Sequence, residues 1–230
     1  MKHKIEVSVT TKNLRILVVD DSEVNRKAAQ DQLGKDNTLI VVGTYEEAQK
    51  LLGGGYVEGE WKESEETFDM ALVDLLLPAS DQQQSSREHV GKEMPIGIFL
   101  ALLAAKQGVK HIAVFTDSNH HSHPASACFD IFNQYRDGYG GQDEPSFMKV
   151  EEAKVVLSNT SIWIEYFNKS DFSKPVGTDE ACERVGSWGL ECKPEYCLAK
   201  CWDKLAEWLL NGEEVLTKAR QPKTGNEGRS

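Results

Sequence analysis

Long apolar runs are missing from this chain. A membrane-crossing helix needs roughly 20 such residues, and the longest stretch, Ile96 to Ala105, reaches about half of that. The opening residues MKHKIEVSVTTKN lack the apolar core of a signal peptide. Positive charge is also short: 26 Lys and Arg stand against 37 Asp and Glu, a net charge of -11. Such a chain repels phosphate backbones and anionic lipid, so direct nucleic-acid binding and membrane insertion are not expected. Cysteine is scarce and odd in number, five in all, with Cys182, Cys192, Cys197 and Cys201 in the last quarter. Their spacing lacks the paired C-x2-C of a structural zinc site and does not read as a disulfide framework. Buried thiols in a reducing, cytoplasmic setting are the expectation. No internal repeat is found, and Gln82-Gln83-Gln84 is the one biased stretch.

What is present suits a folded α/β protein. Of the 230 residues 40% are hydrophobic, with 5 Trp, 8 Phe and 6 Tyr, enough for a sizeable core and for one elaborated domain. Leu14 to Val19 is a β-branched apolar run ending in Asp20-Asp21, as expected of a strand covered on both faces. Ser22 can cap a helix whose apolar face holds Val24, Ala28, Ala29 and Leu33 and which Gly34 ends. Thr38 to Val42 is a second strand, and Tyr45 to Leu52 a short helix stopped at Gly53-Gly54-Gly55. Phe68 to Val73 is a third strand ending at Asp74; Pro95 opens a helix over Ile96 to Gln107; His111 to Phe115 is a fourth strand ending in Thr116-Asp117. Ala127 to Tyr135 reads as helical. Lys154 to Leu157 is the fifth strand, with Ser161 to Phe167 as its rival, and Glu195 to Leu210 reads as a closing helix with Leu198, Trp202, Leu205 and Leu209 on one face, ended by Asn211-Gly212.

Alternating strands and helices predict a doubly wound parallel five-stranded sheet with helices on both faces and a ligand site outside the carboxyl ends of the strands. Residues 1–12 read as an extension, 13–211 as a single domain with insertions near 53–67, 79–94, 118–153 and 160–194, and 212–230 as a tail. In this fold Asp20, Asp21 and Asp74 converge. Carboxylates that close raise a pKa or recruit a cation, and Mg²⁺, a hard ion with oxygen ligands, suits them. A carboxylate beside such an ion can attack phosphorus to form an aspartyl phosphate.

The segments LRILVVDDSEVNR (14 to 26), FDMALVDLLLP (68 to 78) and HIAVFTDSN (111 to 119) resemble the receiver domain of two-component response regulators. The resemblance implies a flavodoxin-like sheet of order 2-1-3-4-5. It implies that Asp74 is the phosphoacceptor, that Asp20, Asp21, Asp74 and the carbonyl of Leu76 hold Mg²⁺, and that Thr116 is the switching hydroxyl. It implies a phosphohistidine donor on a sensor histidine kinase or histidine phosphotransfer protein, and output by contact with another protein.

Three departures stand out. The chain is about twice as long as the family's domain. The lysine that the family carries at the end of its fifth strand is not found after Leu157, and Lys174, followed by Pro175, is the candidate phosphate partner. The small residue that normally follows the threonine is Asp117 here. Two other functions stay open: a receiver-like scaffold without phosphotransfer, and a metal-dependent hydrolase drawing on His120, His121 and His123. Simpler roles also compete: Asp20-Asp21 as helix caps, Thr116 as a strand terminus, the histidines as solvated or capping groups, and Trp188, Trp202 and Trp208 as core anchors.

Overall fold

The computed structural model describes residues 11–57, 60–80, 87–118, 121, 123–134, 144–145, 147–159, 161–185 and 189–219. The first half follows the alternation in the sequence: β1 (Arg15–Val19), α1 (Glu23–Leu33), β2 (Thr38–Val42), α2 (Tyr45–Gly53), β3 (Met70–Asp74), α3 (Gly97–Lys106) and β4 (His111–Phe115). The first two helix starts have a local cause. Ser22 caps α1 by accepting the Asn25 N–H, and Thr44 caps α2, its Oγ1 accepting from the Glu47 N–H and donating to Glu47 Oε2.

The central sheet has six strands, mostly parallel, in the spatial order β2, β1, β3, β4, β6 (Ala153–Ser158) and β5 (Phe147–Val150). The sixth, β5, is antiparallel to β6 and covers what would otherwise be an open edge. The strands read as unbroken apolar runs because both faces are buried. Leu17, Val19, Val73, Val114 and Leu157 pack towards α2 and α3, whereas Ile16, Val18, Leu72, Phe115 and Val156 pack on the other side against α1 and the last helix.

The second half departs from expectation. Ser161 to Phe167 does contain a strand, β7 (Ile164–Asn168), but it lies outside the main sheet. With β8 (Asp171–Val176) and β11 (Tyr196–Lys200) it makes a three-stranded antiparallel sheet in the order β8, β7, β11. Between them, β9 (Cys182–Val185) and β10 (Gly189–Cys192) form a hairpin. The expected closing helix is a strand followed by a helix: β11 occupies its first turn and a half, and α4 (Trp202–Ala219) its remainder. Leu198, assigned to the buried helix face, is 53% exposed on β11. Nor does Gly212 end the helix; a Cβ there would stand 2.7 Å from the ring of Phe147, so glycine serves close packing. The segment expected to be one helix from Ala127 is a short helix, Pro124–Ala127, continuing as 3-10 turns over Cys128–Phe132. Trp202 is wholly buried, as expected; Trp188 lies outside the described residues.

The small sheet and α4 close over α1. Phe167, Phe172, Ala199, Trp202, Leu205 and Leu209 join the core on that face. No described helix is long and apolar enough to cross a membrane.

Candidate functional site

Strand register assembles the site. Val19 pairs with Val73 and Asp74 pairs with Phe115, so Asp20, Asp74 and Thr116 end three adjacent parallel strands at one level. Together with Asp21, Ser22, Asn25, Leu76, Glu93, Asp117 and Ser118 they line a cleft of about 240 Å³. The first half of the chain thus brings the expected site residues together. Gly97, at the start of α3, lies against the strand end: its N–H donates to the Leu75 carbonyl at 3.1 Å, and a Cβ there would stand 1.9 Å from the Asp74 carbonyl oxygen.

The cation comes from a residue that the sequence reading placed inside a helix. Lys200, the last residue of β11, is wholly buried, and its ammonium donates to Asp20 Oδ2 at 2.7 Å and to Asp74 Oδ1 at 2.8 Å. Lys174, the expected phosphate partner, is exposed on β8. The correction has a physical reason. A lysine reaches this pocket from the small sheet over α1, whereas the parallel strand β6 ends in Ser158, whose carbonyl accepts the Thr116 N–H.

The approach of Lys200 is held by α1. Asn25 Oδ1 accepts the Lys200 N–H at 3.2 Å, and the Asn25 amide group bonds Asp20 at 3.3 and 3.4 Å. Gln32 donates to the Lys200 carbonyl at 3.1 Å and accepts the Trp202 N–H at 2.7 Å, while the Trp202 indole donates to the Asn25 carbonyl at 2.9 Å. These contacts span some 170 residues of chain, so no local pattern announces Asn25 or Gln32. Lys200 left one trace, a cationic residue at an expected helix position beside apolar neighbours.

Electrostatics follow from burial. Asp74 is 6% exposed, and its carboxyl is pushed up to about 7, first by desolvation and then by Asp20 and Asp117, with Lys200 pulling the other way. Burial opposes the charge on Lys200, but Asp20, Asp74 and Asp117 together outweigh it and hold its pKa above the ordinary lysine range. Both directions are compatible: two buried carboxylates share one ammonium, so the ammonium is doubly favoured while each carboxylate is compensated only in part. Asp21 is raised by partial burial and by Asp20. Thr116 is buried, its Oγ1 accepting the Ser118 N–H at 3.0 Å.

Lys200 therefore relieves much of the crowding that the sequence alone would assign to a metal ion. Asp20 Oδ1 already accepts from Ser22 and Asn25, and Oδ2 from Lys200 and Asn25, which fills the lone-pair sites of its carboxylate. As a direct Mg²⁺ ligand it would have to surrender one of these bonds. Among the described residues, no three His, Cys, Asp or Glu side chains are arranged to hold a metal ion. The other carboxylates lining the cleft, Asp21, Asp74, Glu93 and Asp117, are oxygen donors of the kind Mg²⁺ takes with water completing its shell.

The histidines divide. His120 lies outside the described residues, and His121 is exposed. His123 caps the Pro124–Ala127 helix, its Nδ1 accepting the Ala125 N–H at 3.1 Å. That is the capping role, and it engages one of the two ring nitrogens.

The chain matches no protein-family model, no curated protein and no solved structure.

Proposed function

We propose that the chain is a receiver-type signalling module, its parallel strands β2, β1, β3, β4 and β6 in a flavodoxin-like arrangement, in which Asp74 accepts a phosphoryl group. The donor is a phosphohistidine on a sensor histidine kinase or a histidine phosphotransfer protein: its P–N bond breaks as a P–O bond to Asp74 forms. The observation that carries this reading is Lys200 Nζ at 2.8 Å from Asp74 Oδ1, beside the strand end that bears Thr116.

Each residue has a task that its surroundings support. Asp74 is the nucleophile, and because its carboxyl sits near 7, only its ionised fraction attacks. Lys200, charged throughout, is the donor for the phosphoryl oxygens, and Asp20 and Asn25 hold it in place. Thr116 gives up its bond from Ser118, or keeps it while donating its own hydroxyl proton, to read the modified state. Asp21, Asp74 and the Leu76 carbonyl would hold a Mg²⁺, which would supply positive charge to offset repulsion between a phosphoryl dianion and the carboxylates.

Incubating the chain with acetyl phosphate and Mg²⁺ should give a phosphoryl adduct by intact mass that is absent in Asp74→Asn. No adduct from any of several small phosphodonors would retire the reading. A second reading draws on Glu93 and Asp117, which add negative charge at the entrance: a receiver-like scaffold that binds a partner protein without phosphotransfer. It requires that Asp74→Asn leave partner binding unchanged.

A further inference from the structure

The cysteines stand apart from the candidate site. Of the four late ones, expected as buried thiols, Cys182 and Cys201 are buried, Cys197 is half-buried and Cys192 is exposed. The structure places two of them face to face. In the β9–β10 hairpin Cys182 lies directly opposite Cys192 in the antiparallel register. The Cys182 N–H turns away from Cys192 and donates to the Thr178 carbonyl, and the ladder bond lies one position outward, from the Lys193 N–H to the Ala181 carbonyl. Cys182 and Cys192 are therefore a non-hydrogen-bonded pair, the kind in which Cα atoms approach to about 4.5 Å and side chains are closest. That lies within the ~4.4–6.8 Å window that a disulfide spans. One thiol is buried and the other exposed, so a reagent in solution meets Cys192 first.

We propose that Cys182 and Cys192 form a reversible dithiol–disulfide site that exchanges with small-molecule disulfides of the glutathione type. The Cys192 thiolate attacks the disulfide RS–SR, forming a mixed disulfide and releasing one thiolate RS⁻. Cys182 then attacks the Cys192 sulfur, forming the Cys182–Cys192 bond and expelling the second RS⁻. Two thiols are oxidised, RSSR is reduced to two RSH, and the two cysteine protons end on the released thiols. Local desolvation and the neighbouring Cys182 raise the Cys192 pKa, so the first attack accelerates as pH rises. The bridge closes a hairpin whose base is bonded into the entry of β11: Lys193 Nζ donates to the Glu180 carbonyl at 2.6 Å and the Tyr196 hydroxyl to Glu180 Oε1 at 3.2 Å. The competing thiol is Cys197, on β11 opposite Phe167.

The test treats the full native chain with oxidised glutathione, blocks remaining thiols with iodoacetamide and maps the peptides. A Cys182–Cys192 bridge without lasting glutathione on Cys192 is the expected result. Cys192→Ser should lose the bridge, Cys182→Ala should trap glutathione on Cys192, and Cys197→Ser should leave the bridge unchanged. A lasting adduct on Cys192 of the unmutated chain with Cys182 free, or a bridge from Cys192 to Cys197, overturns the proposal.

Discussion

Lys200 is the residue on which the site turns. Its ammonium lies between Asp20 and Asp74, all three buried, so removing it leaves two carboxylates in a medium that solvates them poorly. Lys200→Met is expected to destabilise the fold by about 3–5 kcal/mol in urea unfolding, the usual cost of breaking a buried pair from one side, and Lys200→Met with Asp74→Asn to recover part of it. Asp74 sets a second test. Its carboxyl is raised from 3.8 to about 7, so across that interval the folded state holds a proton that the unfolded chain has released. Stability from this group is therefore greatest below the unfolded value and is lost as pH rises through the folded one. Lys200 acts in the opposite range, its contribution present below the ordinary lysine pKa and lost only in strong alkali. Comparing urea unfolding of the unmutated chain and Asp74→Asn at about pH 5 and about pH 8 isolates the carboxyl. Asp74→Asn should gain stability relative to the unmutated chain at the higher pH, and a difference that does not change with pH would contradict the burial argument.

Between elements, the contacts that matter join α1 to the β11–α4 junction. Gln32 satisfies a carbonyl of Lys200 and an N–H of Trp202 at once, and both groups lose a partner if it is replaced by an isosteric apolar side chain. Gln32→Leu is expected to cost about 1–3 kcal/mol by denaturant unfolding, and to slow phosphorylation because Lys200 is less well held. Gly97 governs the other side of the cleft. It lets α3 begin against the end of β3, and the Cβ of alanine would overlap the Asp74 carbonyl, which cannot move without moving Asp74 itself. Gly97→Ala is expected to destabilise by about 1–3 kcal/mol in urea melts and to lower the adduct yield; a fully active Gly97→Ala would mean that α3 can slide outward freely. Neither position stands out in the sequence. Gly97 follows Pro95-Ile96 at a helix start, where glycine has many ordinary reasons to be, and Gln32 looks like a solvated helix residue.

Across the molecule, the core on the α1 side is built jointly by the parallel sheet and by residues far later in the chain. Trp202, Leu205 and Leu209 of α4 and Phe167 and Phe172 of the small sheet pack with Ile16, Val18 and Phe115. The stretch resembling a receiver, about residues 14 to 118, is therefore not self-sufficient. A chain ending at residue 195 is expected to lose its cooperative thermal transition and its near-UV circular dichroism, because it exposes that face and removes the only described cation bonded to Asp20 and Asp74. A cooperative, native-like truncated chain would show instead that the additions decorate a complete domain.

The parallel sheet and the gathering of Asp20, Asp74 and Thr116 at one edge were legible in the sequence. Strands buried on both faces must be apolar throughout, and charged residues at their ends then mark the carboxyl edge whatever the rest of the chain does. The start of α1 was legible for a local reason, through Ser22. The source of the lysine, the use of 196–200 as a strand and the pairing of Cys182 with Cys192 were decided only in three dimensions. The segment around Leu198 carries apolar residues compatible with a helix, and what made it a strand was pairing with Ile164–Asn168, while Asn25 and Gln32 on α1 held its end. Periodicity reports the surface on which a segment rests; the identity of its neighbour is set by contacts that span most of the chain.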